Sequence, residues 1–317
     1  MSWLILVTAC YREPACEAGF KFNVEGLCVE DTGAEPEVTE GDADADADAD
    51  SDADSDADSD TDTDPTDTSD YAALGGEAAI SAVVATFVSN VGADPQINWM
   101  FANSDLAALG ASLEDQICAA TGGPCTYTGD MAAIHASMAI TDTQWGALVA
   151  DLLAAFDTHG VSYTADFSGD LPADRLVVSL AGMYGDIVTD PDGSAVLFNQ
   201  LGGFASVSAV VDGLVAAIAA DSRINASFSG VDLDNLGELL TLLVCESAGG
   251  YCVYPGRSMA DVHAGMGITD DEFNAVIDDL CISLDGLGVP NACGTGTDPA
   301  DSLVLAIDAL RGDIVGR

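Results

Sequence analysis

Two of the three histidines in this chain lie at equivalent places in a block of sequence that occurs twice. Residues 118–141 and 245–269 each contain two Cys residues, then a Tyr, a Gly and a Met, and a His four positions after that Met. A neutral imidazole is a common metal ligand, so His135 and His263 are the candidate metal ligands of the two copies. The remaining histidine, His159, has no counterpart in the second copy. The repetition therefore favours one functional histidine in each copy.

The residues around each histidine limit the kinds of metal site that it can form. Each His follows a Gly-containing loop on a short predicted helix and faces helices rich in Leu, Val and Phe. A single His in such surroundings is the usual proximal ligand of haem iron, although a structural core histidine has the same surroundings. The paired Cys residues and the His do not make a four-ligand zinc set at finger spacing. The sequence also has no Cys-x-x-Cys-His motif for covalent attachment of haem.

The elements that must position these histidines are helices. From Tyr71 onward, apolar residues recur at steps of three and four, which is typical of amphipathic helices. Cap signals predict helices over 106–119, from Thr141 through Phe156 and over 173–188, and a short helix that begins at Asp130 or Met131 and contains His135. The second copy repeats them at roughly 204–220, 233–247, 258–265, 270–286 and 299–314. Because strand signals are weak, we predict an all-α fold with two domains, residues 71–190 and 194–317.

Three segments precede the predicted domains. Residues 1–10 end in a short apolar run before Cys10, which resembles the lipobox of a bacterial lipoprotein. Residues 11–40 contain Cys16 and Cys28, for which a single disulfide is the simplest interpretation. Residues 41–70 alternate Asp with Ala, Ser and Thr, and such a run of like charges predicts a disordered linker. This Asp-rich linker is expected to hold the domains away from a membrane.

The net charge and the number of cysteines limit the classes of binding partner and the cellular compartment. The net charge is −47, with only seven Lys and Arg residues, which argues against binding to nucleic acid or to an anionic membrane surface. Any membrane attachment would therefore be through a lipid on Cys10. Of the nine cysteines, eight remain when Cys10 is set aside, an even number that favours an oxidising compartment. We expect an extracytoplasmic, membrane-anchored lipoprotein of a bacterium, in the periplasm or at the cell surface.

Both copies resemble the group I truncated haemoglobins, short globins with a two-over-two helical fold. The matching residues in the first copy, spread over roughly 71–188, are Leu74-Gly75-Gly76-Glu77-Ala78-Ala79-Ile80, Ala93-Asp94-Pro95-Gln96-Ile97, Phe101, Gly122-Gly123-Pro124, Tyr127-Thr128-Gly129, Met131, His135 and Ile140-Thr141. Those of the second, spread over roughly 196–317, are Leu201-Gly202-Gly203, Ala220-Asp221-Ser222-Arg223-Ile224, Phe228, Tyr254-Pro255-Gly256, Met259, His263 and Gly267-Ile268-Thr269. The order and spacing of these motifs, found twice, indicate two tandem truncated-globin domains.

The resemblance implies a noncovalent haem b (iron protoporphyrin IX) in each domain, with His135 and His263 as the proximal iron ligands. Other positions would contact the haem: Phe101 and Phe228 on the macrocycle, Met131 and Met259 near its proximal side, and Leu109, Leu113, Leu236 and Leu240 on its distal face. Each of these apolar residues also fits a plain core role.

Two features depart from the family. Where the family has a Tyr and often a Gln that donate hydrogen bonds to bound oxygen, this chain has Val88 and Leu113, and then Val215 and Leu240. A lost hydrogen bond of about 1–3 kcal/mol predicts faster loss of oxygen and easier autoxidation. The second departure is the cysteines, which we expect to form structural disulfides, although redox sensing is the alternative; the pairs are Cys118–Cys125, Cys245–Cys252 and Cys281–Cys293.

The sequence therefore predicts a protein that binds haem and a diatomic gas (oxygen, nitric oxide or carbon monoxide) rather than an enzyme. A haem peroxidase or nitric oxide detoxifier is one alternative, but it needs a distal acid–base group that the sequence does not show. A haem-free interaction module is the other. A reductase is an expected partner of unknown identity.

Overall fold

Helices make up nearly all of the regular structure in the computed structural model, which describes residues 69–317 and the short segments 20–22 and 28–30. These two segments are antiparallel strands, β1 (Phe20–Phe22) and β2 (Cys28–Glu30), with Phe20 paired to Glu30. The weak strand signals did not predict this pairing. The lipobox-like segment, the Asp-rich linker before Ser69 and the predicted bond from Cys16 to Cys28 lie outside the described residues.

The same order of helices occurs twice. In the first domain the helices are α1 (Asp70–Ala73), α2 (Gly76–Ala93), a 3-10 helix (Asn98–Phe101), α3 (Leu106–Ala120), α4 (Met131–His135), α5 (Asp142–His159), α6 (Pro172–Ala181) and α7 (Tyr184–Ile187). In the second they are α8 (Leu197–Gln200), α9 (Gly203–Ala220), a 3-10 helix (Asn225–Phe228), α10 (Leu233–Ser247), α11 (Met259–Val262), α12 (Asp270–Gly286), α13 (Pro299–Asp308) and α14 (Arg311–Ile314).

Side-chain caps fix where the helices begin. Helix α3 begins after Asp105, whose carboxylate accepts hydrogen bonds from the N–H groups of Ala107 and Ala108. Helices α5 and α12 each begin with a capping box, built by Thr141 and Gln144 in the first domain and by their counterparts in the second. These caps satisfy N–H groups that the first turn of a helix leaves without partners. The predicted starts of these helices are thereby confirmed.

The last helix of each domain is shorter than the sequence predicted. The expected helix over 173–188 ends at Ala181, because the chain tightens there and Met183 N–H donates to the Leu180 carbonyl, three residues back, at 3.1 Å. The expected helix over 299–314 divides in the same way where Leu310 N–H donates to Ile307. Such i to i−3 bonds are common where an α-helix terminates. The helix expected over 258–265 is only the single turn α11.

Each domain has its own apolar core around its longest apolar helix. Helix α2 packs on α3 and α5, and α9 packs on α10 and α12. The two core helices are long and apolar enough to cross a membrane by length and composition. Each buries a stripe of side chains within its domain, and this burial accounts for their hydropathy; the residues are Ile80, Val83, Val84, Phe87 and Val91 on α2, and Val207, Val210, Val211, Leu214 and Ile218 on α9.

The two domains contact each other through an aromatic side chain. Trp99, in the 3-10 helix of the first domain, is 8 % exposed and belongs to the core cluster of the second domain. Its ring centroid lies 5.2 Å from that of Phe198 in an edge contact and 5.6 Å from that of Phe204 in a stacked contact. The first domain thus contributes to the core of the second.

Hydrogen bonds around the chain that joins the domains reinforce this contact. The buried Asp190 accepts a bond from Asn199 Nδ2 at 2.7 Å, and its own N–H donates to the Ile140 carbonyl at 3.0 Å. Asn199 Nδ2 also lies 2.8 Å from the carbonyl oxygen of Ala139. The first helix of the second domain is therefore bonded to the loop that follows α4 in the first.

Candidate functional site

A cavity of about 320 Å³ lies in the first domain between α2, α3, α4 and α5. Its volume is in the range of small-molecule and cofactor sites. Most of the side chains that line it are apolar, and they include Phe87, Val88, Val91, Phe101, Leu109, Leu113, Ile117, Met131, Ile134, Leu148, Leu152 and Leu180. Ile134 is 49 % exposed, so the cavity opens to solvent beside α4.

His135 lines this cavity from the last residue of α4. Asp130 begins the helix by accepting a hydrogen bond from the N–H of Ala133 at 3.0 Å. Within the helix, His135 Nδ1 lies 2.9 Å from the carbonyl oxygen of Met131. A carbonyl oxygen can only accept, so Nδ1 carries the proton and Nε2 carries the lone pair of the neutral ring. This arrangement fixes the ring and leaves Nε2 as the atom that can bind a metal.

His263 has the same local arrangement in the second domain. Its Nδ1 lies 2.8 Å from the carbonyl oxygen of Met259, and it is the C-cap residue that directly follows α11. Ser258 begins this turn by accepting a hydrogen bond from the N–H of Asp261 at 3.2 Å. Both repeated histidines are partly buried and both present Nε2 as the unprotonated nitrogen.

The structure brings together all of the site residues predicted in the first domain. Phe101, Leu109, Leu113 and Met131 line the same cavity as His135. They come from three segments: Phe101 ends the 3-10 helix, the two leucines lie on α3, and Met131 begins α4. Their roles toward a cofactor stay predictions.

In the second domain, the counterparts follow the same order along the helices. Phe228 ends the second 3-10 helix, Leu236 and Leu240 lie one turn apart on α10, and Met259 begins α11. Phe228 and Leu240 pack against the apolar core of that domain. Met259 contacts His263 through the hydrogen bond of its carbonyl group.

The wall of the first-domain cavity formed by α2 and α3 carries apolar side chains at the two positions that the sequence analysis singled out. Val88 and Leu113 both line the cavity, as their place in the sequence predicted. Sequence reasoning missed three polar residues that also line it: Ser112, Gln116 and Tyr127. Gln116 lies three residues after Leu113, and this helical spacing is a signal that it shares the same face of α3.

One of these three polar groups has a hydrogen-bond partner within the first domain. The amide of Gln116 donates to Met183 Sδ at 3.3 Å, so that donor already has a partner within the first domain. Burial raises the pKa of the Tyr127 hydroxyl, which keeps it neutral and able to donate a hydrogen bond at physiological pH. Ser112 is exposed although it lies at the edge of the cavity.

The loop between the α3 end and α4 is held by a disulfide. Cys118 and Cys125 are bonded with their Cα atoms 5.7 Å apart, and Cys245 and Cys252 form the equivalent bond in the second domain. Cys281 and Cys293 form a further bond near the end of α12. These three predicted pairings are thus present in the structure. The close packing also requires glycine, because a Cβ on Gly123 would lie 2.6 Å from Cys118 Sγ.

The described residues hold no cluster of three or more His, Cys, Asp or Glu side chains placed to bind a metal ion. Neither repeated histidine therefore belongs to such a cluster within the part of the chain that the structure describes. A lone imidazole in an apolar cavity can complete the coordination of a metal that arrives within an organic cofactor.

Known proteins similar to this chain are short hemoglobins. The group 1 truncated hemoglobin of Tetrahymena pyriformis is 27% identical over 121 residues, which are 38% of this chain and 95% of that protein. The group 1 truncated hemoglobin of Tetrahymena thermophila is 32% identical over 97 residues, 29% of this chain and 77% of that protein. That of Mycolicibacterium paratuberculosis is 29% identical over 97 residues, 31% of this chain and 71% of that protein.

Solved structures of the same kind also match. The truncated hemoglobin of Tetrahymena pyriformis in its Fe(III) form is 27% identical, with 38% of this chain and 99% of that chain covered and a TM-score of 0.35. The 2/2 hemoglobin of Synechococcus sp., in the cyanomet state with covalently attached heme, is 28% identical, with 39% and 100% covered and a TM-score of 0.35.

The family comparison covers both copies of the repeat. Residues 69–167 and residues 196–295 each match the family described as bacterial-like globin. The two segments make up more than half of the chain, and each contains one of the repeated histidines. The chain therefore belongs to the bacterial-like globin family, in which its two domains are tandem truncated globins.

Proposed function

We propose that this chain is an extracytoplasmic tandem haemoglobin that binds one haem b in each globin domain and a diatomic gas at each iron. The observation that supports it most strongly is the geometry of His135. Its Nδ1 is held by the Met131 carbonyl oxygen at 2.9 Å, so Nε2 remains as a ligand atom on the wall of an apolar cavity.

The residues of the first-domain cavity fit a haem. A porphyrin is a flat apolar ring, and apolar side chains from α2, α3, α4 and α5 form walls that can bury it. Phe101 and Met131 would contact the ring, and His135 would bind the iron through Nε2. When bound, the haem would supply an iron atom that can bind a diatomic gas. His263 would act in the same way in the second domain.

The apolar residues that α2 and α3 contribute to the cavity would determine which gas is retained. Val88, Leu109 and Leu113 have no hydrogen-bond donor to offer to a polarised oxygen molecule. Nitric oxide and carbon monoxide depend less on such a donor. We therefore propose rapid release of oxygen, with nitric oxide or carbon monoxide retained longer.

The disulfides support a location outside the cytoplasm. The described residues contain three such bonds, and structural disulfides persist in oxidising compartments. The lipobox-like sequence before Cys10 supports attachment to a membrane through a lipid on that residue. Labelling with a radioactive fatty acid in the bacterial host tests this attachment, and loss of label in Cys10→Ser is the expected result.

Haem binding is tested by replacing the histidines. We expect the full chain to bind two equivalents of haemin with a Soret band typical of histidine ligation. His135→Ala and His263→Ala should each lose one equivalent, and the double variant should lose both, because a lone ligand cannot be replaced by its neighbours. Haemin titration followed by absorbance measures the stoichiometry.

His159→Ala is the matched control. His159 is exposed and its Nε2 lies 2.8 Å from Thr86 Oγ1, away from the residues that line the cavity. Its replacement should leave both equivalents bound. Clean folding of the full chain with no affinity for haemin would select the haem-free interaction module instead, and turnover of nitric oxide far above that of free haemin would select an enzyme.

A further inference from the structure

Trp145, Tyr184 and Asp142 form a continuous contact beside the first-domain cavity. Trp145 lines the cavity from α5, and its ring lies edge-on to that of Tyr184 with the centroids 5.9 Å apart. The Tyr184 hydroxyl donates a hydrogen bond to the carboxylate of Asp142. Tyr184 and Asp142 are partly exposed, so the contact extends from the cavity wall toward solvent. Holding a haem or a gas requires none of these features.

The second domain keeps the geometry of this contact but changes its chemistry. The segment Tyr184–Val188 reads YGDIV, and its counterpart Arg311–Val315 reads RGDIV. The guanidinium carbon of Arg311 lies 4.4 Å from the ring centroid of Phe273, which occupies the place of the tryptophan. Arg311 Nη1 lies 3.0 Å from Oδ1 of Asp270, which occupies the place of the aspartate. The same positions therefore build a cation–π contact and an ion pair.

The contact in the first domain and its counterpart in the second domain differ in how easily their side chains are oxidised. Indole and phenol are the side-chain rings that lose one electron most easily, whereas benzyl and guanidinium groups resist oxidation. A phenol must also lose its proton when it is oxidised, and a carboxylate that accepts its hydrogen bond is placed to take that proton. The first domain provides all three groups in contact, and the second domain provides only the carboxylate.

We propose that Trp145, Tyr184 and Asp142 form a relay that moves oxidising equivalents from the haem site of the first domain to the protein surface, with hydrogen peroxide as the oxidant. The second domain lacks this relay. The inference rests on the proposed haem binding in the first domain, and it takes up the peroxidase alternative of the sequence analysis for that domain, with soluble phenols as the reductants.

The electrons and protons of the relay balance as follows. Trp145 gives one electron to the oxidised site and regains it from Tyr184. The O–H bond of Tyr184 breaks, its proton passes to Asp142, and a neutral tyrosyl radical remains. Two such steps supply two electrons and, through Asp142 and solvent, two protons, which reduce one hydrogen peroxide molecule to two water molecules. A soluble phenol then returns a hydrogen atom to each tyrosyl radical and becomes a phenoxyl radical.

The environment of Tyr184 favours loss of its proton together with loss of an electron when the side chain is oxidised. Burial and the hydrogen bond to Asp142 raise the pKa of Tyr184 to about 12. The phenol is therefore protonated at physiological pH, so its oxidation has to release a proton locally. Asp142 is partly exposed and can pass that proton to water.

The test uses the full chain loaded with haemin, after its Soret band has been recorded. Hydrogen peroxide is mixed with the protein, the sample is frozen within milliseconds, and the electron paramagnetic resonance spectrum is measured. We expect a tyrosyl radical in the natural chain and its loss in both Tyr184→Phe and Trp145→Phe. Oxidation of a soluble phenol by peroxide should fall in the same two variants.

Tyr163→Phe is the matched control. Tyr163 also donates a hydrogen bond to an aspartate, Asp157, at 3.1 Å, but it is not among the residues that line the cavity. This variant should keep the radical. A radical that persists in Tyr184→Phe and disappears in Tyr127→Phe would overturn the proposal, because Tyr127 lines the cavity directly and would then be the oxidised residue.

A second measurement does not depend on haem. Azide radicals made by pulse radiolysis oxidise tryptophan, and transfer to tyrosine is followed by absorbance in the haem-free chain. The transfer step should be lost in Tyr184→Phe and in Trp145→Phe. Transfer that is unchanged in both variants overturns the relay itself, whereas a chain that shows transfer but no Soret band overturns the proposed haem function and the peroxide activity that rests on it.

Discussion

Val88 is the residue at which the first-domain cavity differs most clearly from an oxygen-retaining site. It lies on α2, is partly buried, and lines the cavity together with Leu109 and Leu113. Val88→Tyr would place a phenol donor among these apolar groups. A hydrogen bond worth about 1–2 kcal/mol should slow oxygen dissociation about 5- to 30-fold. Stopped-flow displacement of oxygen by carbon monoxide measures the rate.

The matched control for this substitution is Val88→Phe. It adds the same ring without the hydroxyl, so it changes the volume of the cavity but offers no donor. We expect its oxygen dissociation rate to stay close to that of the natural chain. Equal rates in the Tyr and Phe variants would show that the lack of a donor at this position does not govern oxygen release.

The Cys118–Cys125 disulfide helps to position helix α4, because it ties the end of α3 to the loop that leads to α4 and His135. Replacing both residues by Ala should lower the free energy of unfolding by about 2–3 kcal/mol, since the closed loop no longer restricts the unfolded chain. It should also speed the loss of haem from the first domain. Urea unfolding and transfer of haem to apomyoglobin measure the two effects.

The Cys281–Cys293 bond provides the control at this scale. It lies near the end of α12 in the second domain, and it is therefore far from His135 in the sequence. Replacing that pair by Ala should lower stability by a similar amount while the rate of haem loss from the first domain stays unchanged. If both double variants lose haem from the first domain equally fast, the loop between α3 and α4 has no special role in holding His135.

The elements show how much the sequence can predict. Asp105 and Thr141 mark helix starts because a cap acts within a few residues of itself, and His135 is identified by repetition. The break after Ala181 depends on how the last turn packs, so local periodicity predicts a single helix there. Trp145 lines the cavity only because α5 turns a particular face inward, which a motif search does not reveal.

At the scale of the whole molecule, one short segment explains why two similar domains form a fixed pair. The first 3-10 helix reads NWMF, and its counterpart in the second domain reads NASF. The flanking Asn and Phe are the same in both copies. The two residues between them differ, and in the first domain these residues, Trp99 and Met100, pack against the core of the second domain.

Trp99→Ala tests whether this contact makes the chain unfold as one unit. Trp99 is almost fully buried against Phe198 and Phe204, so its truncation should cost about 3–5 kcal/mol. We expect one thermal transition in the natural chain and two in the variant, because the contact that links the two cores is lost. Differential scanning calorimetry separates these outcomes. Trp99→Phe keeps an aromatic ring at the interface and should retain a single transition at a lower temperature, whereas two transitions already present in the natural chain would show that the domains unfold independently despite the shared tryptophan.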